Sequence, residues 1–140
     1  MDLRRIVGQT KTAGFQVGVR RTFPISQEKA WELITSEEGL KLWLGESTNV
    51  FLKPSQKFVT KTVTGQIRVV KTQQQLRLTW QKVEWLKPSI VQIRFIPRDS
   101  NKTTISFHQE NLNDSITREK MKVYWEKVLD EVRERIPNFT

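Results

Sequence analysis

The chain has 140 residues, a formal net charge of +9 and no cysteine. That length fits one ordinary domain able to bury roughly two thirds of its unfolded surface, so no covalent staple is needed. Disulfide frameworks and thiol chemistry are excluded, and no apolar run approaches the roughly 20 residues of a membrane span.

In chain order, residues 1–14 are polar and glycine-spaced and predict an arm ahead of a single domain over 15–140. Arg4 and Arg5 lack the apolar core of a signal peptide behind them, so the expected location is cytoplasmic; the missing cysteines fit a reducing compartment. Gln16–Phe23 alternates, with Val17, Val19 and Arg21 on one face and Gly18, Arg20 and Thr22 on the other, and predicts a strand that Pro24 ends. Ser26 is placed to cap a helix over Gln27–Thr35. A second short helix over Ser36–Trp43 is expected to stop at Gly45.

From about Thr48 the period becomes two. Phe58, Thr60 and Thr62 share one expected face, and Ile67 and Val69 the same face of the next strand. Leu76, Leu78 and Trp80 alternate with Arg77, Thr79 and Gln81; Val91, Ile93 and Phe95 alternate with Gln92 and Arg94. Pro97 and Arg98–Lys102 are expected to form a turn, after which Ile105 and Phe107 alternate with Thr104, Ser106 and His108. A polar turn at Asn111–Ser115 leads into a long helix, about Ile116–Ile136, in which Met121, Trp125, Val128, Leu129, Val132 and Ile136 make one apolar stripe on a 3.6-residue period.

Runs of strands flanked by helices argue for an α+β class: two short helices after the first strand, then an antiparallel meander with one wet face. A sheet of six to seven twisted strands curls, and the C-terminal helix is the one element long enough to fill its concave side. The expected architecture is a curved sheet wrapped around that helix.

Three stretches carry a family resemblance: "VRRTFPISQEKAWELITSEEGLKLWLG" over Val19–Gly45, "GQIRVVKTQQQLRLTW" over Gly65–Trp80, and "ISFHQENLNDSITREKMKVYWEKV" over Ile105–Val128. Together, across about residues 15–136, they resemble the domain of activators of the heat-shock protein 90 ATPase, within the START-like (SRPBCC) helix-grip superfamily. The resemblance implies a helix-grip fold and, in that superfamily, mostly ligand carriers with a few cyclases and hydrolases. The eukaryotic co-chaperones join this domain to a second one, for which a chain of this length is expected to have no room.

Residue chemistry narrows the function. His108, the only histidine, alternates onto the wet face with Ser106, so no Ser–His–acid triad or histidine-rich metal site is assembled by spacing. The adjacent pairs Glu37–Glu38 and Asp130–Glu131 diverge by about 100° on a helix and read as solvated faces. No glycine-rich phosphate loop is present. The expectation is a non-enzymatic domain with no catalytic residue, metal or cofactor.

The aromatics are the better lead. Trp43, Phe58, Trp80, Phe95, Phe107 and Trp125 fall on inward faces, where plain core packing competes with the lining of a cavity. The expected cavity lies between sheet and C-terminal helix and takes a small apolar or aromatic molecule. Phe58, Thr60, Val69, Leu78, Trp80, Ile93, Phe95, Phe107, Met121 and Trp125 form its walls, with Trp43 at the mouth and the Thr60 hydroxyl inside.

The excess charge is concentrated in residues 53–102, which hold eleven Lys/Arg against Glu84 and Asp99. Arg68, Arg77 and Arg94 are expected on the outer face of the strands. With the aromatics inside, that face lacks the stacking platforms of sheets that read RNA. Nucleic acid is disfavoured, and an acidic protein surface is the alternative partner, in a stress-related or co-chaperone-like interaction module.

Overall fold

Apolar residues at every second position need a common surface, and the strands supply it to one another. The computed structural model describes residues 14–46 and 50–139, so the arm expected before Gly14 lies outside the described residues. The strands β1 (Phe15–Phe23), β2 (Lys57–Val59), β3 (Val63–Lys71), β4 (Gln75–Lys82), β5 (Ser89–Asp99) and β6 (Lys102–Leu112) form one antiparallel sheet in the order β1-β6-β5-β4-β3-β2. Strands β2 to β6 make a meander. The first strand closes it by pairing with the last, Val19 opposite Phe107. Helices α1 (Gln27–Thr35) and α2 (Glu37–Trp43) carry the chain from β1 towards the far edge.

Ser26 caps α1 as expected, and Ser36, expected as the first residue of the second helix, caps α2 instead. The Ser26 hydroxyl accepts from the Lys29 N–H and that of Ser36 from the Gly39 N–H. Gly45, just past α2, has φ +89°, the left-handed conformation that ends helices. The long helix α3 (Ser115–Arg135) is capped by Asp114, whose carboxylate accepts from the Thr117 N–H at 2.7 Å. That backbone bond, with the Thr117 hydroxyl, holds the Asp114 carboxyl below its ordinary value of 3.8. No helix among the described residues is long and apolar enough to cross a membrane.

The expected stripe is buried along its whole length, Met121 to Val132 on α3 and Ile136 in the 3-10 turn that follows it. Arg21 of β1 pairs with Asp130 of α3, clamping the helix to the sheet edge. At its centre the Trp125 ring stacks on Phe107 at 4.6 Å and meets Trp80 at 5.1 Å. A polar thread crosses this core. Trp125 Nε1 donates to Gln109 Oε1 at 2.9 Å, Gln109 Nε2 to Ser89 Oγ at 2.9 Å, and Ser89 Oγ to the Trp80 carbonyl at 2.7 Å. Indole is donor-only, so this chain fixes the orientation of the glutamine amide.

Three local expectations are corrected. A β-bulge between Ile67 and Val69 puts Val69 opposite Arg77 and turns it to the outer face; Val70, opposite Leu76, takes the inner position. Strand β2 ends at Val59, and Thr60 lies in the turn into β3, where its hydroxyl donates to the Val63 carbonyl at 3.1 Å and accepts from the Val63 N–H at 3.0 Å. Thr60 is buried, but its hydroxyl is committed to the turn, and Thr62 is exposed. Finally, β5 continues through Pro97 to Asp99. The Phe95 N–H bonds to the Gln74 carbonyl on the β4 side, so two residues on the missing N–H of Pro97 faces past the start of β4, where no ladder bond is lost.

Candidate ligand-binding cleft

An open space beside the central aromatics lies at the end of the sheet where β3, β4 and α3 meet. The turn into β3 brings Lys61, Thr62 and Val63 to one wall; the end of β4 and its following loop bring Trp80, Lys82, Val83 and Glu84; α3 brings Tyr124. The cleft holds about 450 Å³, within the range of small-molecule sites. Its corner is fixed by backbone: the Val83 N–H bonds to the Thr62 carbonyl at 3.2 Å, and Gly45 stands with a Cβ position 3.7 Å from the Thr62 hydroxyl. Trp80 belongs both to this wall and to the aromatic cluster, contacting Tyr124 at 5.8 Å and Trp125 at 5.1 Å.

The other expected cavity residues distribute as follows. Trp43, Phe58, Leu78, Ile93, Phe95, Phe107, Met121 and Trp125 are buried within the core. Aromatic rings of this set pack on one another: Trp43 lies 6.4 Å from Phe107, and Phe107 4.6 Å from Trp125. Of the expected set, Trp80 lines the cleft, joined there by Thr62, Val63 and Tyr124. Tyr124 sits on α3 one residue before Trp125, off the apolar stripe, so helical periodicity assigns it to the boundary. Nothing in its local sequence shows that β4 ends beside it.

The electrostatics of the cleft are basic and partly compensated. Lys61 Nζ lies 3.6 Å from Glu46, both side chains exposed. Lys82 Nζ stands over the Tyr124 ring at 5.7 Å and has no carboxylate within 4 Å among the described residues. The Tyr124 hydroxyl donates to the Trp43 carbonyl at 2.8 Å. Burial, helped by Glu131, pushes this phenol well above its ordinary value of 10.0. The unfolded chain therefore loses its phenolic proton at about pH 10 while the folded chain keeps it, so stability is fully present below pH 10 and falls as pH rises above it. Tyr124 is the only tyrosine. A tyrosinate difference titration should therefore show no ionisation of the folded chain near pH 10, and Tyr124→Phe should flatten the alkaline fall in urea midpoint. Ionisation near 10 with the fold intact would show the phenol to be solvated.

The outer face is organised by register. Lys71, Gln75, Arg94, Ser106 and Arg20 lie side by side on successive strands, so three cations stand roughly 10 Å apart along one row. Of the expected arginines, Arg68 and Arg94 are exposed, whereas Arg77 is half-buried and lies 3.5 Å from Glu110. His108, half-buried on this face, pairs through Nε2 with the Gln16 amide oxygen at 3.1 Å. A polar groove of about 440 Å³ adjoins Arg94 at the β3–β4 turn, walled by Gln27, Gln73 and Gln75.

An antiparallel sheet that grips one long C-terminal helix, with two short helices after the first strand, defines the START-like helix-grip class. The chain belongs to the family of activator of Hsp90 ATPase homolog 1-like proteins, whose model matches residues 24–136. No curated protein sequence matches it significantly. Among solved structures it is similar to an HSP90 activator from Plasmodium falciparum, with 20% identity over 91% of this chain and 99% of that one and a TM-score of 0.76. A protein from Mesorhizobium loti shares 15% identity over 89% of this chain and 98% of that one, at a TM-score of 0.77. CalU16 from Micromonospora echinospora shares 17% identity over 94% of this chain and 81% of that one, also at 0.77. At these identities the likeness is one of fold.

Proposed function

We propose that this chain is a non-enzymatic domain that holds a small apolar or aromatic molecule, entering through the cleft beside Trp80 and Tyr124. The observation that carries the reading is that Trp80 is shared: a 450 Å³ opening ends on the same indole that heads the central aromatic cluster. Trp43, Phe107, Met121 and Trp125 form the surface behind it, reached where Trp80 and Tyr124 move apart. Titration of a lipophilic library should shift tryptophan emission and raise the melting temperature, since ligand at 100 times Kd stabilises by about 2.7 kcal/mol. Thr62→Phe, which places a ring in the opening at an exposed position, should abolish that gain without lowering the melting temperature of the free protein. A library without a single stabilising member sinks the reading.

The outer row of Arg20, Arg94 and Lys71 supports a second reading, an interaction module for an acidic protein surface. The family description and the Plasmodium relative make a chaperone of the Hsp90 type the partner to test. Binding should weaken steeply with salt and vanish in an Arg20→Glu, Arg94→Glu variant; salt-insensitive binding, or none, counts against it.

A further inference from the structure

Buried indole N–H groups usually find acceptors, and two of the three fully buried indoles here do. Trp43 Nε1 donates to the Ile34 carbonyl and Trp125 Nε1 to Gln109, both at 2.9 Å. Trp80 Nε1 is the exception. It is buried and has no acceptor, alone in this among the buried side-chain polar atoms of the described residues. An orphaned donor in an apolar setting costs free energy that an incoming acceptor removes.

The indole that carries the orphan is fully buried and backs the same cleft that Lys82 lines. The two residues are separated by one position on β4 and so share a face, with Cα atoms about 7 Å apart. The Lys82 ammonium lies along the Tyr124 ring with no carboxylate partner among the described residues. The cleft also holds Lys61, answered by Glu46, and Glu84, so its lining carries two cations against one acid. Tyr124 remains a neutral phenol and adds no repelling charge. Val63, Val83 and the Tyr124 ring supply apolar and aromatic walls.

Resting on the ligand-binding reading above, we propose that the cleft selects an aromatic anion, a carboxylate or phenolate whose oxygen accepts from Trp80 Nε1 and pairs with Lys82, while its ring lies against Tyr124 and Val83. A neutral hydrocarbon fills the same space but leaves the indole N–H orphaned. Lys82, half-buried on a flexible stem, is the wall that yields as the anion enters.

The experiment compares naphthoate with its methyl ester by tryptophan fluorescence titration and by nitrogen-15 spectra of the indole N–H groups, the Trp80 signal being assigned with Trp80→Phe. Naphthoate should bind roughly tenfold tighter than the ester, as a charge-assisted hydrogen bond implies, and should move the Trp80 indole signal downfield. Lys82→Gln should remove that preference, bringing the acid's affinity down to that of the ester. If acid and ester bind equally with the Trp80 signal unmoved, the anion inference is overturned and the ligand-binding reading stands. If neither probe binds, the anion inference is overturned, and the library titration decides the ligand-binding reading. The Lys82→Gln result keeps the test decisive should Trp80→Phe fold poorly.

Discussion

Trp125→Ala is expected to lower the unfolding free energy by roughly 3–5 kcal/mol, the range for emptying a buried large aromatic site. The side chain is fully buried, stacked on Phe107 at 4.6 Å, in edge contact with Tyr124 at 4.9 Å and tilted against Trp80 at 5.1 Å. Two effects are combined in that figure. One is the lost ring, with its transfer energy and the void left among neighbours that are themselves pinned by strands. The other is Gln109 Oε1, which loses the indole donor in a position sealed from water, at about 1–3 kcal/mol. Trp125→Phe separates them: it keeps an aromatic on Phe107 but not the donor, so it should cost the smaller amount. Domains of this size are stable by only about 5–15 kcal/mol, so the alanine variant should lose a large share of its urea midpoint. A loss below about 1 kcal/mol would falsify the packing described for this core.

What is local in this fold is legible in the sequence. Helices α1, α2 and α3 follow from Ser26, Gly45 and a stripe of six residues, because caps and 3.6-residue periodicity are properties of neighbouring positions. The alternation of β4, β5 and β6 is equally local, and the inward aromatics follow from it. What escaped depends on pairing between strands. The bulge that rotates Val69 outward is a slip against β4 with no marker in "QIRVVK". The row of Arg20, Arg94 and Lys71 exists only once the register of five strands is set. Gln109 could have been found, since it alternates with His108 onto the face of Phe107, and a glutamine on an apolar face demands partners. Its partners, Ser89 and Trp125, could not. The cleft is the least legible part: Lys61, Lys82 and Tyr124 lie far apart in the chain, and the orphaned N–H of Trp80 is a fact about its surroundings alone.

Gly39→Ala should destabilise by about 3 kcal/mol or more, the upper end of what overpacking a core costs, although alanine is the better helix former by about 1 kcal/mol. Gly39 is buried in the first turn of α2, where that helix turns back onto the end of α1. A Cβ there would overlap the Leu33 carbonyl oxygen and stand 2.9 Å from the Ile34 carbonyl carbon. These are backbone atoms of a helix, not the far end of a flexible side chain, so relief requires moving α2 as a unit. Such a movement pulls Trp43 Nε1 from the Ile34 carbonyl and the Trp43 carbonyl from the Tyr124 hydroxyl, and it strains the Glu38–Arg135 pair, bonds that tie α2 to its neighbours. The steric loss therefore exceeds the propensity gain, and the sign is negative. Gly18→Ala is the matched comparison. Gly18 is exposed on β1, and its Cβ would meet His108 Cδ2 at 3.7 Å, an ordinary contact, so the same substitution there should be neutral or stabilise by up to about 1 kcal/mol. Thermal unfolding of the pair reads the difference directly. Equal melting temperatures for the two variants would mean that α1 and α2 do not approach at Gly39.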